Sequence, residues 1–446
     1  MKQTELLCPA GTLKNMRYAY AYGADAVYAG QPRYSLRVRN NDFLYDNLVT
    51  GINEAHQAGK KFFIASNLLP HNAKVKTYLK DIQPIIALNP DALIMADPGL
   101  IMMVRENWPD MTIHLSVQAN TLNYASVKFW QSIGIKRIIL SRELSLEEIE
   151  EIRQQCPDIE LEVFVHGALC IAYSGRCLLS GYFNHRDPNQ GTCTNSCRWK
   201  YDVHETKQDD CGNVVKAETV ETYTPELAPS NEENLVDNLE KEWLLEEKGR
   251  PGEYLPISED EHGTYIMNSK DLRAIQHVKK LVDIGIDSLK IEGRTKSHYY
   301  VARTARIYRQ AIDDVANGIE FNQQYLRDLE NLSNRGYTEG FYRRHVPQET
   351  QNYSTGVSTT FSQKYVAEVM RWNDETQCAE VLVKNKFSVG DTLEVIQPDK
   401  SFQIILKSMT DLKGNDMQVA PGSGYEVAIP MSEKIDEMAI IARNSD

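Results

Sequence analysis

Four cysteines, Cys170, Cys177, Cys193 and Cys197, follow one another in the pattern C-x6-C-x15-C-x3-C. Four converging thiolates satisfy either tetrahedral zinc or a cubane iron–sulfur cluster. Zinc ribbons and fingers pair their ligands as two C-x2–4-C units, and here only Cys193 and Cys197 are spaced that way. The spacing therefore leans towards iron–sulfur, with zinc as the competitor. No C-x-x-C redox pair and no C-x3-C-x2-C run is present. Gly167, Gly175, Gly181 and Gly191 give the segment the freedom to fold back, so that the thiols can meet. Cys8, Cys156 and Cys378 read as core residues. Cys211 is the alternative fourth ligand.

The elements before these cysteines determine where they sit. Short apolar runs predict strands at Leu6–Ala10, Ala26–Gly30, Lys61–Asn67, Ala92–Asp97, Ile113–Ala119, Arg137–Arg142, Leu161–Gly167 and Asp287–Glu292. Amphipathic stretches such as Asn15–Tyr22, Lys74–Leu88, Tyr124–Ile133, Leu146–Gln155 and about 297–317 alternate with them. Eight such units predict an α/β fold, a TIM-like (β/α)8 barrel over 1–345. An open doubly wound sheet is the runner-up, and it lacks a G-x-G-x-x-G turn after the first strand. Within the barrel, 166–200 reads as a Cys-rich loop and 201–262 as an acidic insertion, with a further strand at Thr264–Asn268. Residues 351–446 read as a small C-terminal antiparallel β-barrel domain.

A barrel works at the C-terminal ends of its strands. His166, Gln118, Asn120 and Glu292 lie there and are the candidate catalytic groups. Along His114, Ser116, Gln118 and Asn120 every second residue is polar, which on a strand puts all four on one face. Arg142 and Arg294 end two other strands. Arg37, with Arg33 and Arg39, forms a basic tract beside Tyr34 that reads as facing RNA or substrate. A second basic, aromatic tract runs from Lys290 through Arg303, Arg306 and Arg309, and reads as a solvated outer helix or an RNA contact.

The formal net charge is −13. From Tyr201 to Glu261 there are 18 Asp/Glu against 5 Lys/Arg, and the rest of the chain holds 44 of each sign. The acidity belongs to one segment that reads as an exposed excursion, and it does not veto an RNA substrate. The opening MKQTELLCPAGTL has no secretory pattern, and no run of about 18 apolar residues suggests a membrane span. A cytoplasmic protein with reduced thiols is expected.

Several runs resemble the collagenase-like peptidases of peptidase family U32. They are Glu5-Leu-Leu-Cys-Pro-Ala-Gly-Thr12, Gly23-Ala-Asp-Ala-Val-Tyr-Ala-Gly30, Gln31 to Asn41, His166-Gly-Ala-Leu-Cys170, Cys177-Leu-Leu-Ser-Gly181 to Cys197, and Leu289-Lys-Ile-Glu-Gly-Arg294. The resemblance implies hydroxylation of the wobble uridine of certain tRNAs at carbon 5, giving 5-hydroxyuridine on the way to 5-carboxymethoxyuridine. It also implies a 4Fe-4S cluster on Cys170, Cys177, Cys193 and Cys197, and prephenate as co-substrate. The expected partners are the tRNA anticodon loop, prephenate and an electron donor, with no membrane. Prephenate is a dicarboxylate, and Arg142 and Arg294 are suited to anchor it through paired hydrogen bonds. Two other readings compete. One is a peptidase, although no H-E-x-x-H or G-x-S-x-G is present. The other is a zinc-stabilised RNA-binding module.

Overall fold

The computed structural model describes residues 3–35, 42–168, 270–332, 336–343 and 363–444. It adds the backbone of strands at 172–173, 176–177, 201–208, 214–216, 242–247, 254–260 and 263–266. Two compact units emerge. One comprises 1–167, 274–333 and 360–446, and the other comprises 168–273 and 334–359.

The first unit contains the expected barrel. Its strands are β1 (Glu5–Pro9), β2 (Ala26–Gly30), β3 (Lys61–Ser66), β4 (Ala92–Met95), β5 (Ile113–Leu115), β6 (Arg137–Ile139), β7 (Glu160–Ala168) and, far along the chain, β16 (Ser288–Ile291). Each pairs in parallel with the next. β16 closes the ring by pairing with both β1 (Glu5 opposite Ser288) and β7 (Glu162 opposite Ser288). Both faces of these strands are covered, so they read as continuous apolar runs. Val27, Phe62, Leu93, Ile138 and Leu161 are fully buried.

The outer helices are α1 (Leu13–Ala21), α2 (Tyr45–Gln57), α3 (Asn72–Ile86), α4 (Pro98–Asn107), α5 (Tyr124–Ser132), α6 (Leu146–Gln155), α7 (Val278–Ile284), α8 (His298–Ala316) and α9 (Gln324–Glu330). Side chains cap the starts of five. Thr12, Asp97, Asn123 and Ser297 accept backbone N–H groups, and Ser145 forms a reciprocal box with Glu148.

The second unit corrects one expectation. The acidic segment, read as an exposed insertion or flexible excursion, carries regular strands. It forms an antiparallel sheet of β10 (Tyr201–Gln208), β11 (Val214–Lys216), β12 (Glu242–Glu247), β13 (Tyr254–Asp260) and β14 (Gly263–Ile266), in the order β11-β10-β12-β13-β14. Its charge does not prevent pairing, because backbone hydrogen bonds do not depend on side-chain charge. The expected strand at Thr264–Asn268 is the last of this sheet. The same unit holds a hairpin of β8 (Ala172–Tyr173) and β9 (Arg176–Cys177), and a parallel pair of β15 (Asp271–Arg273) with β17 (Tyr337–Thr338).

The C-terminal region is antiparallel, as expected. Eight strands between Gln363 and Asn444 form one sheet around a core that includes Val366, Val381, Phe387, Leu393, Val427 and Ile441. It docks on α1 and α8. The Tyr22 hydroxyl donates to the carbonyls of Ile396 and Met438, at 2.8 and 3.0 Å. Tyr299 stacks on Tyr365 at 4.9 Å. Glu368 accepts from Lys14 (2.6 Å), His298 (2.8 Å) and Lys384 (3.0 Å).

Burial pushes the Glu368 carboxyl up, but the hydrogen bonds from His298, Lys14 and Lys384 outweigh it and hold the group well below its ordinary 4.5. A depressed folded value means stability that is present above 4.5 and lost as pH falls through the folded value. Glu368→Gln should therefore cost about 3 kcal/mol at neutral pH. The gap to wild type in thermal unfolding should close on acidification below 4.5. A gap independent of pH would contradict this account.

Candidate functional site

The barrel interior is unusually polar at its base. Glu5, Lys61, Arg137 and Glu160 open their strands, and Glu162 lies one layer higher. Lys61 pairs with Glu5 (2.9 Å), and Arg137 with Glu160 (2.9 Å) and Glu162 (3.2 Å). Lys290 completes the chain on Glu162 at 2.8 Å. Glu162 is 0% and Lys290 3% exposed. Three carboxylates thus meet three cations; Glu5, Arg137, Glu162 and Lys290 are buried and must be paired, whereas Lys61 and Glu160 reach solvent at the base.

His114 belongs to this layer. Its ring meets Phe63 edge-on at 4.7 Å. Burial, then the charges of Arg137, Lys290 and Lys61, push its titration well below the usual value, so the imidazole is neutral. The expected strand face of His114, Ser116, Gln118 and Asn120 is not formed. β5 stops at Leu115, and Val117–Ala119 is a single 3-10 turn. Ser116 causes the break, because its hydroxyl accepts the Gln118 N–H and so competes with the extended backbone. Asn120 ends the turn at φ 51°. Gln118 and Asn120 sit on this corner at the mouth.

Above the base, cations and rings interleave. The Lys290 ammonium is 4.3 Å from the Tyr28 ring centre and 5.4 Å from that of Phe164. The Arg142 guanidinium lies 3.8 Å from the Phe164 ring, and that of Arg294 6.0 Å from Tyr28. The ends of β6 and β16 therefore place Arg142 and Arg294 on either side of Lys290. Burial, reinforced by Arg137 and Arg294, lowers the Lys290 pKa, while Glu162 opposes the shift. Gly30 is needed for this packing. A Cβ there would stand 2.5 Å from Arg294 Nη1 and 2.6 Å from Ser35 Oγ. Such a cation-rich arc with apolar walls suits a compact anion carrying more than one carboxylate.

His166 and Glu292 are joined through the backbone, where the Glu292 N–H donates to the His166 carbonyl at 2.8 Å. The approach requires Gly167 at φ 102°, since a Cβ there would collide with the Glu292 carbonyl oxygen. His166 is buried, with its ring 5.5 Å from Tyr308 and 5.8 Å from Tyr300. The Tyr308 hydroxyl donates to the Val165 carbonyl at 2.7 Å and lies 3.4 Å from His166 Nδ1. With its own proton committed, that oxygen can only accept from Nδ1–H, which leaves Nε2 as the proton-accepting nitrogen.

The structure thus gathers His166, Glu292, Arg142 and Arg294 at one mouth and puts Gln118 and Asn120 on the β5 corner of it. Arg37 and Cys170, Cys193 and Cys197 lie outside the described residues. Cys177 is described through its backbone, where the β8–β9 hairpin sets it opposite Ala172, two positions after Cys170. Sequence reasoning missed the Glu162–Lys290 pair, yet the signal was present. Each is a charge inside an apolar strand, which must turn inward.

The long basic tract is corrected. Arg303, 4% exposed, pairs with Glu394 of the C-terminal sheet at 3.0 Å. Arg309 pairs with Asp25 (2.9 Å) and Asp313 (2.8 Å). α8 is neither a solvated helix nor an RNA contact, because these arginines hold the first unit together.

Models of two families match the chain. The one for peptidase family U32 covers residues 11–352, and the one for the peptidase family U32 C-terminal domain covers 362–442. A protein of Escherichia coli strain K12 named tRNA hydroxylation protein P is 59% identical, over 100% of this chain and 97% of its own. The protein of the same name in Haemophilus influenzae is 56% identical over 99% and 96%. An archaeal protein of Methanocaldococcus jannaschii, named an uncharacterised protease, is 31% identical over 98% and 97%.

Proposed function

The chain belongs to peptidase family U32, and from that premise we propose that it is an enzyme that hydroxylates tRNA at the mouth of its barrel. The observation that carries this reading is the 59% identity, along the whole chain, to a protein named for tRNA hydroxylation. In finer detail, the target is carbon 5 of the wobble uridine in the anticodon loop, and the product is 5-hydroxyuridine. Prephenate is the co-substrate, and an electron donor serves a 4Fe-4S cluster.

The donor set fits that cluster. Four thiols occur within one short segment, and the β8–β9 hairpin folds the chain back between Cys170 and Cys177. Cys170, Cys177, Cys193 and Cys197 would hold it. A bound cluster would supply the one-electron chemistry that no side chain offers. Arg142 and Arg294 bind the two carboxylates of prephenate. Phe164 and Tyr28 exclude water from the charges between them. Replacing hydrogen by hydroxyl at carbon 5 takes up one oxygen atom and removes two electrons, so an external oxygen-donating oxidant completes the reaction. His166 accepts at Nε2 the proton displaced from carbon 5, and Glu292 ends the adjoining strand at the same mouth.

Three cysteines among the described residues are unsuited to serve as a peptidase nucleophile. Cys8, Cys156 and Cys378 are all buried. Burial pushes the Cys8 thiol far up, away from a reactive thiolate. Among the described residues no helix is long and apolar enough to cross a membrane.

The test is expression of this chain in a bacterium stripped of its own tRNA-uridine hydroxylases. Digested tRNA should regain 5-hydroxyuridine or its derivatives by mass spectrometry. Unchanged tRNA would remove the proposal. The same strain made unable to synthesise prephenate should lose the product, and a product undiminished there would remove prephenate alone.

A further inference from the structure

We propose that the N-terminal half of α3, with the loop after β2 docked against it, is the surface that grips the RNA phosphate backbone; this rests on the tRNA reading above. From Ser66 to Lys80 the chain carries Lys74, Lys76 and Lys80 and no acid, and from Gln31 to Ser35 it carries Arg33 and no acid. These two stretches are joined. Arg33 pairs with Asp81 of α3 at 2.7 Å, and Lys74 donates to the Arg33 carbonyl at 2.9 Å. Tyr34 is fully buried under the junction, donating to Asp81 at 2.7 Å and meeting Tyr78 edge-on at 5.0 Å. The loop therefore reaches its position through α3, where Asp81 neutralises Arg33, and the charges left to form the rim are the lysines of α3.

That rim lies at the mouth. Helices of a parallel barrel run back against their strands, so the start of α3 lies at the C-terminal end of β3. Lys76 and Lys80 are exposed, one turn apart and on one face. Among the described residues neither has a carboxylate partner. Three exposed cations of other outer helices are neutralised: Lys279 by Asp283 (2.7 Å), Lys280 by Glu150 (2.6 Å) and Arg17 by Glu54 (2.6 Å). Leu69 and Tyr45, each 48% exposed, belong to the β3–α3 loop and the start of α2 and offer apolar surface on the same side of the barrel to an unstacked base. Two other surfaces among the described residues are unsuitable. The arginines of α8 are consumed by Glu394, Asp25 and Asp313. A cavity of about 490 Å³ between α9 and the C-terminal sheet is lined by Asp328, Glu394, Gln363 and Asn444, the wrong sign for phosphate. Lysines are point charges that bind phosphate without reading sequence, so the rim holds the RNA while the mouth selects the base.

The experiment measures binding of an unmodified tRNA transcript to the full chain over a series of salt concentrations. K76Q/K80Q keeps helix propensity, and K279Q/K280Q removes the same charge elsewhere. K76Q/K80Q should bind roughly tenfold more weakly near 0.1 M salt, and the slope of log affinity on log salt should fall by about 1.5. K279Q/K280Q should match wild type in both. In turnover, KM for tRNA should rise while kcat holds. Wild-type affinity and slope in K76Q/K80Q, with wild type binding and hydroxylating tRNA, would overturn this surface and leave the hydroxylase reading standing. A wild-type chain that neither binds nor hydroxylates tRNA would overturn both.

Discussion

Replacing Cys170, Cys177 or Cys193 by alanine is expected to reduce 5-hydroxyuridine in tRNA to background. The fall should be accompanied by loss of iron and sulfide from protein purified without oxygen, because three thiolates do not complete the site. Affinity for tRNA should hold, since the basic rim lies on α3. Cys197→Ala should behave alike, and Cys211→Ala should not, if the ligands are the four that the spacing indicates. Full modification in all four variants would contradict a cluster in the reaction. Stoichiometric zinc without iron or sulfide would transfer the same thiols to a structural role.

The second large effect is on stability. Glu162→Ala leaves Lys290 without its carboxylate in the barrel interior and Arg137 short of one of three. An unpaired buried charge costs about 3–5 kcal/mol, so the thermal midpoint should fall steeply. Replacing both partners, as Glu162→Leu with Lys290→Met, should recover much of that loss, because the pair is worth less than the penalty of breaking it. A single variant as stable as wild type would mean that water reaches this layer. The double replacement should still lower activity, since it removes the ammonium between Arg142 and Arg294.

The barrel was legible because parallel strands covered on both faces are written as unbroken apolar runs. Ala26–Gly30 and Leu146–Gln155 carry the same limits in the sequence and in the structure. Less was legible where a single side chain outweighs the pattern. The alternation from His114 to Asn120 is perfect in sequence, yet the Ser116 hydroxyl turns the chain at the third residue. In the acidic segment, composition masked strands such as Glu242–Glu247, whose pairing is a property of the backbone. Arg303 and Arg309 looked like an external stripe because their partners, Glu394 and Asp25, are 91 and 284 positions away. Long-range pairing leaves no local trace. The mouth was half legible. Arg142, His166, Glu292 and Arg294 follow from the rule of strand ends, whereas the rings of Tyr28 and Phe164 that order the cations required the closed barrel.

The most direct measurement gives the purified, anaerobically prepared chain an unmodified tRNA with prephenate and a cell extract that supplies the electron donor and the oxygen-donating oxidant, and, separately, casein. Mass spectrometry of the anticodon-loop fragment should show one added oxygen on the wobble uridine, while the casein remains intact. An unaltered fragment beside cleaved casein would contradict the account.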